Sequence, residues 1–255
     1  MSGSKSEVNE RRLFLHVGTH KTGTTSFQAA LCSMAPQLRR TGFEVLHGKP
    51  IARKGSANAF LLANCFIRPS LKTSPRLLRN APLPDEANTN RVMAGLTKMV
   101  EASTARDFVI SSEEFCLLRT PEEATLLRHH LTPLFSEIVP ILCLRSKEAW
   151  AASRENQLKK TSVTPLLEEV SDAESTNGSW YYQTDELRAF WEGIGDLIVI
   201  DYDAVLQRDG SVFPALFGAI GQTPPDTSKE WLNRRDTFAS RMRRNLSNIK
   251  QRLLG

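Results

Sequence analysis

A short apolar run, a polar loop bounded by glycines and a helix follow one another without a break in Leu13 to Met34, LFLHVGTHKTGTTSFQAALCSM. Leu13 to Val17 has the length of a buried strand. The loop runs from Gly18 to Gly23. Phe27, Ala30, Leu31 and Met34 then recur at i, i+3, i+4 and i+7, with Thr and Ser in front as N-caps and Pro36 as the stop signal. A strand that feeds a helix through such a loop presents backbone N–H groups and a helix dipole to one point in space. That is a phosphate cradle. Gly18 and Gly23 are separated by four residues, as in a P-loop, but Thr24 and Thr25 stand where a Walker A loop places its lysine. The lysine of this loop is Lys21, inside it.

The run His20, Lys21, Thr22, Gly23, Thr24, Thr25 resembles the 5′-phosphosulfate loop, K-[ST]-G-T-T, of sulfotransferases that use 3′-phosphoadenosine 5′-phosphosulfate (PAPS). A second pair supports the resemblance. Arg145 closes the most apolar strand pattern of the chain, Ile138 to Leu144, and Ser153 lies eight residues on, about two turns into the next helix. An arginine fork and a hydroxyl so spaced can grip one phosphate from two sides. This is similar to the family's 3′-phosphate motif. The alternative for Arg145 is a surface ion pair at a helix start.

The resemblance implies a sulfuryl transfer from PAPS to a hydroxyl or amine of an acceptor, leaving 3′,5′-diphosphoadenosine (PAP). Lys21 and the N–H groups of Gly23 to Ser26 would stabilise the departing phosphate, with His20 lining that site. Arg145 and Ser153 would hold the 3′-phosphate. The base would be Glu113, first after the two serines of Phe108 to Glu114, FVISSEE; Glu114, His16 and His20 are the alternatives. No metal is implied. Two departures point away from the cytosolic steroid and phenol branch, toward bacterial or carbohydrate types. Ser26 stands where that branch has a tryptophan near the adenine, and the late K-G-x-x-G-like motif is not recognisable. Arg241 or Arg243 of the basic C-terminal tail are candidates to complete the nucleotide pocket.

Strand-length apolar runs alternate with helical patterns along the chain, so the expected fold is α/β, P-loop NTPase-like, with a mostly parallel sheet and helices on both faces. In such sheets ligands sit beyond the carboxyl ends of the strands. The loop at Lys21, Ser111 to Glu114, Arg145, and Asp201 to Asp203 should therefore converge. Residues 1–11 read as a disordered tail and 12–255 as one domain. Residues 48–90, loose in pattern, read as a loop or lid on the acceptor side, although Ala57 to Phe66 has helical character. The irregular 161–180 stretch and the Trp180, Tyr181, Tyr182 loop are the other acceptor-side candidates.

Composition bounds the rest. The net charge is +5 and the sequence pI is near 9.1, compatible with a polyanionic ligand. Aromatics are only 7% and are not interleaved with the basic residues, so nucleic acid is not the expected partner. The four cysteines form no CxxC pair and read as free thiols of a reducing compartment. No signal-like or membrane-length apolar run is present, and a cytoplasmic location is expected. The acceptor is expected to be a carbohydrate or a small hydroxylated metabolite. Two rivals remain. One is a P-loop-type nucleotide kinase or NTPase, favoured by the glycine spacing and by Leu197 to Asp203, a loose Walker B. The other is a non-catalytic anion- or nucleic-acid-binding protein, favoured by charge and tail.

Overall fold

The structure, a computed structural model, describes residues 10–161 and 180–225. Five strands form one sheet in the order β2-β3-β1-β4-β5: β1 (Arg12–Gly18), β2 (Phe43–Val45), β3 (Asp107–Ser111), β4 (Glu137–Leu144) and β5 (Ile198–Asp201). Every pairing is parallel. Parallel neighbours need crossovers, and the helices supply them: α1 (Thr24–Arg40), α2 (Phe60–Phe66), α3 (Ser74–Arg79), α4 (Glu86–Glu101), α5 (Pro121–Leu131), α6 (Lys147–Thr161), α7 (Thr184–Glu192), α8 (Tyr202–Asp209) and α9 (Phe213–Ala219). The chain divides into two compact units, Met1–Gln222 and Thr223–Gly255. Of the second, residues 223–225 are described.

Both faces of the sheet are covered, and β1 shows why its sequence is almost wholly apolar. Leu13, Leu15 and Val17 point into the larger core, shared with Leu62 and Phe66 of α2, Val92 and Leu96 of α4, Leu127 and Leu131 of α5, and Trp191 of α7. His16 points the other way. Its ring meets Phe27 of α1 edge-on at 5.0 Å, and Phe27 meets Phe217 of α9 at 5.3 Å. The buried cysteines are inert members of this packing. Burial pushes the thiols up, Cys65 to about 11 and Cys116 and Cys143 to about 12.

Several boundaries differ from the sequence reading. Pro36 does not end α1; the helix continues to Arg40 with Pro36 inside it. Nor does a hydroxyl cap its start. The cap is Gly23 in the left-handed region, φ 81° and ψ 6°, with no side-chain hydrogen bond. Residues 48–90 are not a loose loop. They hold α2, α3 and the start of α4, and bury Ile51, Ala52, Leu62, Ala63, Phe66 and Ile67. Helices of seven and six residues are too short to show a period, which is why the pattern looked irregular. The acidic end of Leu197 to Asp203 opens α8, a helix the sequence reading did not anticipate. Of the expected N-terminal tail, Arg11 is ordered, and its carbonyl accepts from the Ser136 N–H at 2.9 Å. The basic tail and most of 161–180 lie outside the described residues.

Candidate active site

The carboxyl ends of β1, β3, β4 and β5 do converge, and β1 sets the geometry. Gly18 has φ 72°, and a Cβ built on it would lie 2.8 Å from the Glu113 Cα. Only glycine tolerates both the dihedral and the approach. Thr19 is then tied to the neighbouring strand: its N–H and its hydroxyl both donate to the Cys143 carbonyl at 3.0 Å. The Thr22 hydroxyl donates back to the Thr19 carbonyl at 2.6 Å. That hydroxyl serves the loop's own shape, so Thr22 can offer a ligand its backbone only. Between these anchors Lys21 takes φ 71° and carries an exposed side chain. A lysine held in the left-handed region costs about 1 kcal/mol or more, which the pinned loop must offset.

The loop delivers the chain to α1. Ser26 and Phe27 N–H groups donate to the Gly23 carbonyl at 3.0 and 3.1 Å. No side chain caps the first turn and no acidic residue lies in it, whereas Arg39 and Arg40 occupy the last turn. The helix therefore presents its positive end uncompensated. Thr24 is buried, Ser26 half-buried and Thr25 exposed at that end.

Glu113 stands beside it. β3 stops at Ser111, and Glu113–Leu117 forms a 3-10 turn capped by the Ser112 hydroxyl, which accepts from the Glu114 N–H at 3.3 Å. The turn sends the two glutamates to different places. Asn58 Nδ2 donates to both oxygens of Glu113 at 3.2 Å, and Gln28 Nε2 of α1 donates to Oε2 at 3.0 Å. Asn58 is fixed in turn by the Ser112 hydroxyl, which donates to its Oδ1 at 3.0 Å. Glu113 is half-buried and its oxygens accept side-chain amides rather than an arginine.

Glu114 goes inward with His20. The sequence reading put His20 against the anion; its ring is instead only 6% exposed. Nε2 faces Glu114 Oε1 at 3.6 Å, while Nδ1 lies 2.6 Å from the Tyr181 hydroxyl and 3.5 Å from Cys116 Sγ. Burial, and then the Arg154 cation, push the ring below its ordinary value, so it is neutral. Burial alone would raise Glu114, but His20, Arg154 and Arg79 outweigh it and hold the carboxyl low. Nε2 lies just beyond hydrogen-bond distance of Glu114, and Nδ1 shares a hydrogen bond with the Tyr181 hydroxyl whose direction follows the ring tautomer. His16 is likewise no base: burial drives it to about 3, with Nδ1 2.8 Å from the Ser111 hydroxyl.

Arg145 and Ser153 are not joined by a hydrogen bond. Arg145 Nε donates to Asp203 Oδ1 at 3.3 Å, with its guanidinium 5.3 Å from the Tyr202 ring centroid. The Ser146 N–H, at 2.9 Å, and then Arg145 hold the Asp203 carboxyl below its ordinary value. Tyr202 also lies near the loop, since a Cβ on Gly23 would come within 4.0 Å of its ring. Ser153 is half-buried on α6. Asp201, the Walker B candidate, accepts from the Ala204 N–H at 3.0 Å and caps α8. Among the described residues no group of three His, Cys, Asp or Glu side chains is placed to hold a metal ion, and no helix is long and apolar enough to cross a membrane.

Two contributors were missed in the sequence. Asn58 lies in a stretch with no period and left no signal. Gln28 left one: it is a polar residue beside Phe27 on the buried face of α1.

The architecture is that of an α/β protein with a parallel sheet and its candidate site at the strands' carboxyl edge. No family model matches the chain, and no curated protein matches it in sequence. Among solved structures it matches a sulfotransferase from Alicyclobacillus acidocaldarius, with a TM-score of 0.53 and 16% identity over 86% of each chain. At that identity the likeness is one of fold.

Proposed function

We propose that this protein is a PAPS-dependent sulfotransferase that transfers a sulfuryl group to a hydroxyl of an acceptor and releases PAP. One observation carries the reading: an uncapped helix end, preceded by an anchored loop bearing Lys21, lies next to a carboxylate held by neutral amides. The first two suit a departing phosphate; the third suits a proton acceptor. The fold shared with a sulfotransferase is consistent with it.

In the proposed reaction the acceptor oxygen forms a bond to sulfur as the bond from sulfur to the 5′-phosphate oxygen breaks. Charge grows on that departing oxygen, where Lys21 and the first N–H groups of α1 act as preorganised donors, worth about 3–4 kcal/mol for one such group. The acceptor proton passes to Glu113. Its oxygens are held in place by the Asn58 and Gln28 side-chain amides, with no arginine or lysine among those partners. Arg145 serves the 3′-phosphate, exchanging Asp203 for the donor, with Ser153 on the facing helix. A cytoplasmic site of action belongs to the same proposal.

A thermal-shift comparison of PAP with ATP plus magnesium tests the reading. Preferential stabilisation by PAP is expected. Preference for ATP with magnesium would make the protein a kinase or NTPase, and indifference to both would make it a binding protein of another kind. The capping role of Asp201 weighs against the kinase.

A further inference from the structure

We propose that the acceptor is itself an anion, a hydroxyl-bearing molecule with a carboxylate or phosphate near its reacting oxygen, held by Arg53 and Arg79. The inference rests on the reading of Glu113 as the acceptor's base. Residues 47–84 contain seven lysines and arginines and no aspartate or glutamate, in a chain with 33 basic and 28 acidic residues overall. This is the segment that supplies Asn58 to Glu113.

Part of that charge is structural. Arg76 donates to Asn64 Oδ1 at 2.8 Å and to the Ile67 and Arg68 carbonyls at 2.9 and 2.8 Å, tying α2 to α3. Arg68 pairs with Glu123 at 3.1 Å. Arg53 and Arg79 differ. Both are exposed, and neither pairs with a carboxylate among the described residues. Their guanidiniums lie 5.8 and 5.2 Å from the centroid of one ring, Phe60, two residues beyond Asn58. Arg79 is close enough to the site to act on buried Glu114. Two like charges on one aromatic ring repel unless something negative lies between or upon them. Packing against the ring fixes each fork while leaving N–H donors for a ligand, and a fixed fork matches a carboxylate or phosphate.

The test uses the full chain and two matched pairs of probes: p-nitrophenyl β-D-glucuronide against the corresponding glucoside, and glycerol 3-phosphate against glycerol. Binding is measured by calorimetry with and without saturating PAP. At least one charged member should bind about tenfold or more tightly than its neutral twin, and which one does so separates carboxylate from phosphate recognition. The preference should shrink as salt is raised. The Arg53→Gln, Arg79→Gln double variant should lose the preference and keep its affinity for PAP. Equal binding or no binding of charged and neutral members, a preference that survives in the double variant, or a loss of PAP affinity there would each overturn the proposal. Failure of PAP to bind the native protein would instead remove the sulfotransferase reading, and the charged-against-neutral comparison without PAP would still stand.

Discussion

Asn58 spans both carboxylate oxygens of Glu113 at 3.2 Å, a side-chain link added where the Ala59 N–H already donates to the Ser111 carbonyl at 2.8 Å and ties the 47–84 segment to the end of β3. Glu113→Gln removes the proton acceptor without changing size. Turnover should fall about a hundredfold or more, with PAP-induced stabilisation unchanged. Asn58→Ala should lower turnover roughly tenfold or more, since it removes a hydrogen bond to a charged group. Steady-state kinetics with labelled PAPS reads both, and full activity in Glu113→Gln would move the base elsewhere.

Lys21 is tested by separating chemistry from binding. Lys21→Ala should reduce kcat by about 10²–10³ while the PAP affinity changes much less, because the charge it meets is largest in the transition state. Unaltered turnover in that variant would take Lys21 out of the mechanism.

Arg145 should act on binding alone, and on one part of the nucleotide. Arg145→Ala is expected to weaken PAP about tenfold or more and to leave the affinity for adenosine 5′-phosphate unchanged. Calorimetry with the two ligands decides. An equal loss for both would place the guanidinium elsewhere in the pocket.

Stability should fall on acidification, and His16 gives the sign. Folded, the ring titrates at about 3; unfolded, it returns to about 6.5. The unfolded state thus binds the extra proton between those values, and the contribution is complete above about 6.5 and lost progressively toward 3. The slope is about 1.4 kcal/mol per pH unit for one such group. His20 and Glu114 act in the same direction. Urea midpoints measured from pH 7.5 to 5 should decline, and His16→Asn should flatten the decline.

The sheet was legible because its signals are local. Short apolar runs rich in β-branched residues and bounded by polar ones, such as Ile138 to Leu144, read as buried strands, and Pro121 marked the first residue of α5. The loop at Lys21 was legible for the same reason, being one continuous stretch. What could not be read depends on distant partners. Pro36 looked like a stop because its cost to the helix is visible in sequence, while the packing of Ala35 and Leu38 that carries α1 past it is not. His20 looked like a ligand for an anion because Tyr181, which claims its Nδ1, lies 161 positions away. The spacing of Arg145 and Ser153 suggests a shared phosphate, but it could not reveal that Arg145 also pairs with Asp203, 58 positions away.

Gly18 carries the last consequence. Its backbone rests directly against that of Glu113, with no side chain between. The donor half and the acceptor half of the proposed chemistry are thus built on one rigid joint and cannot be retuned separately. A descendant of this protein that took on a new acceptor would have to change the arginines around Phe60, and leave the joint alone.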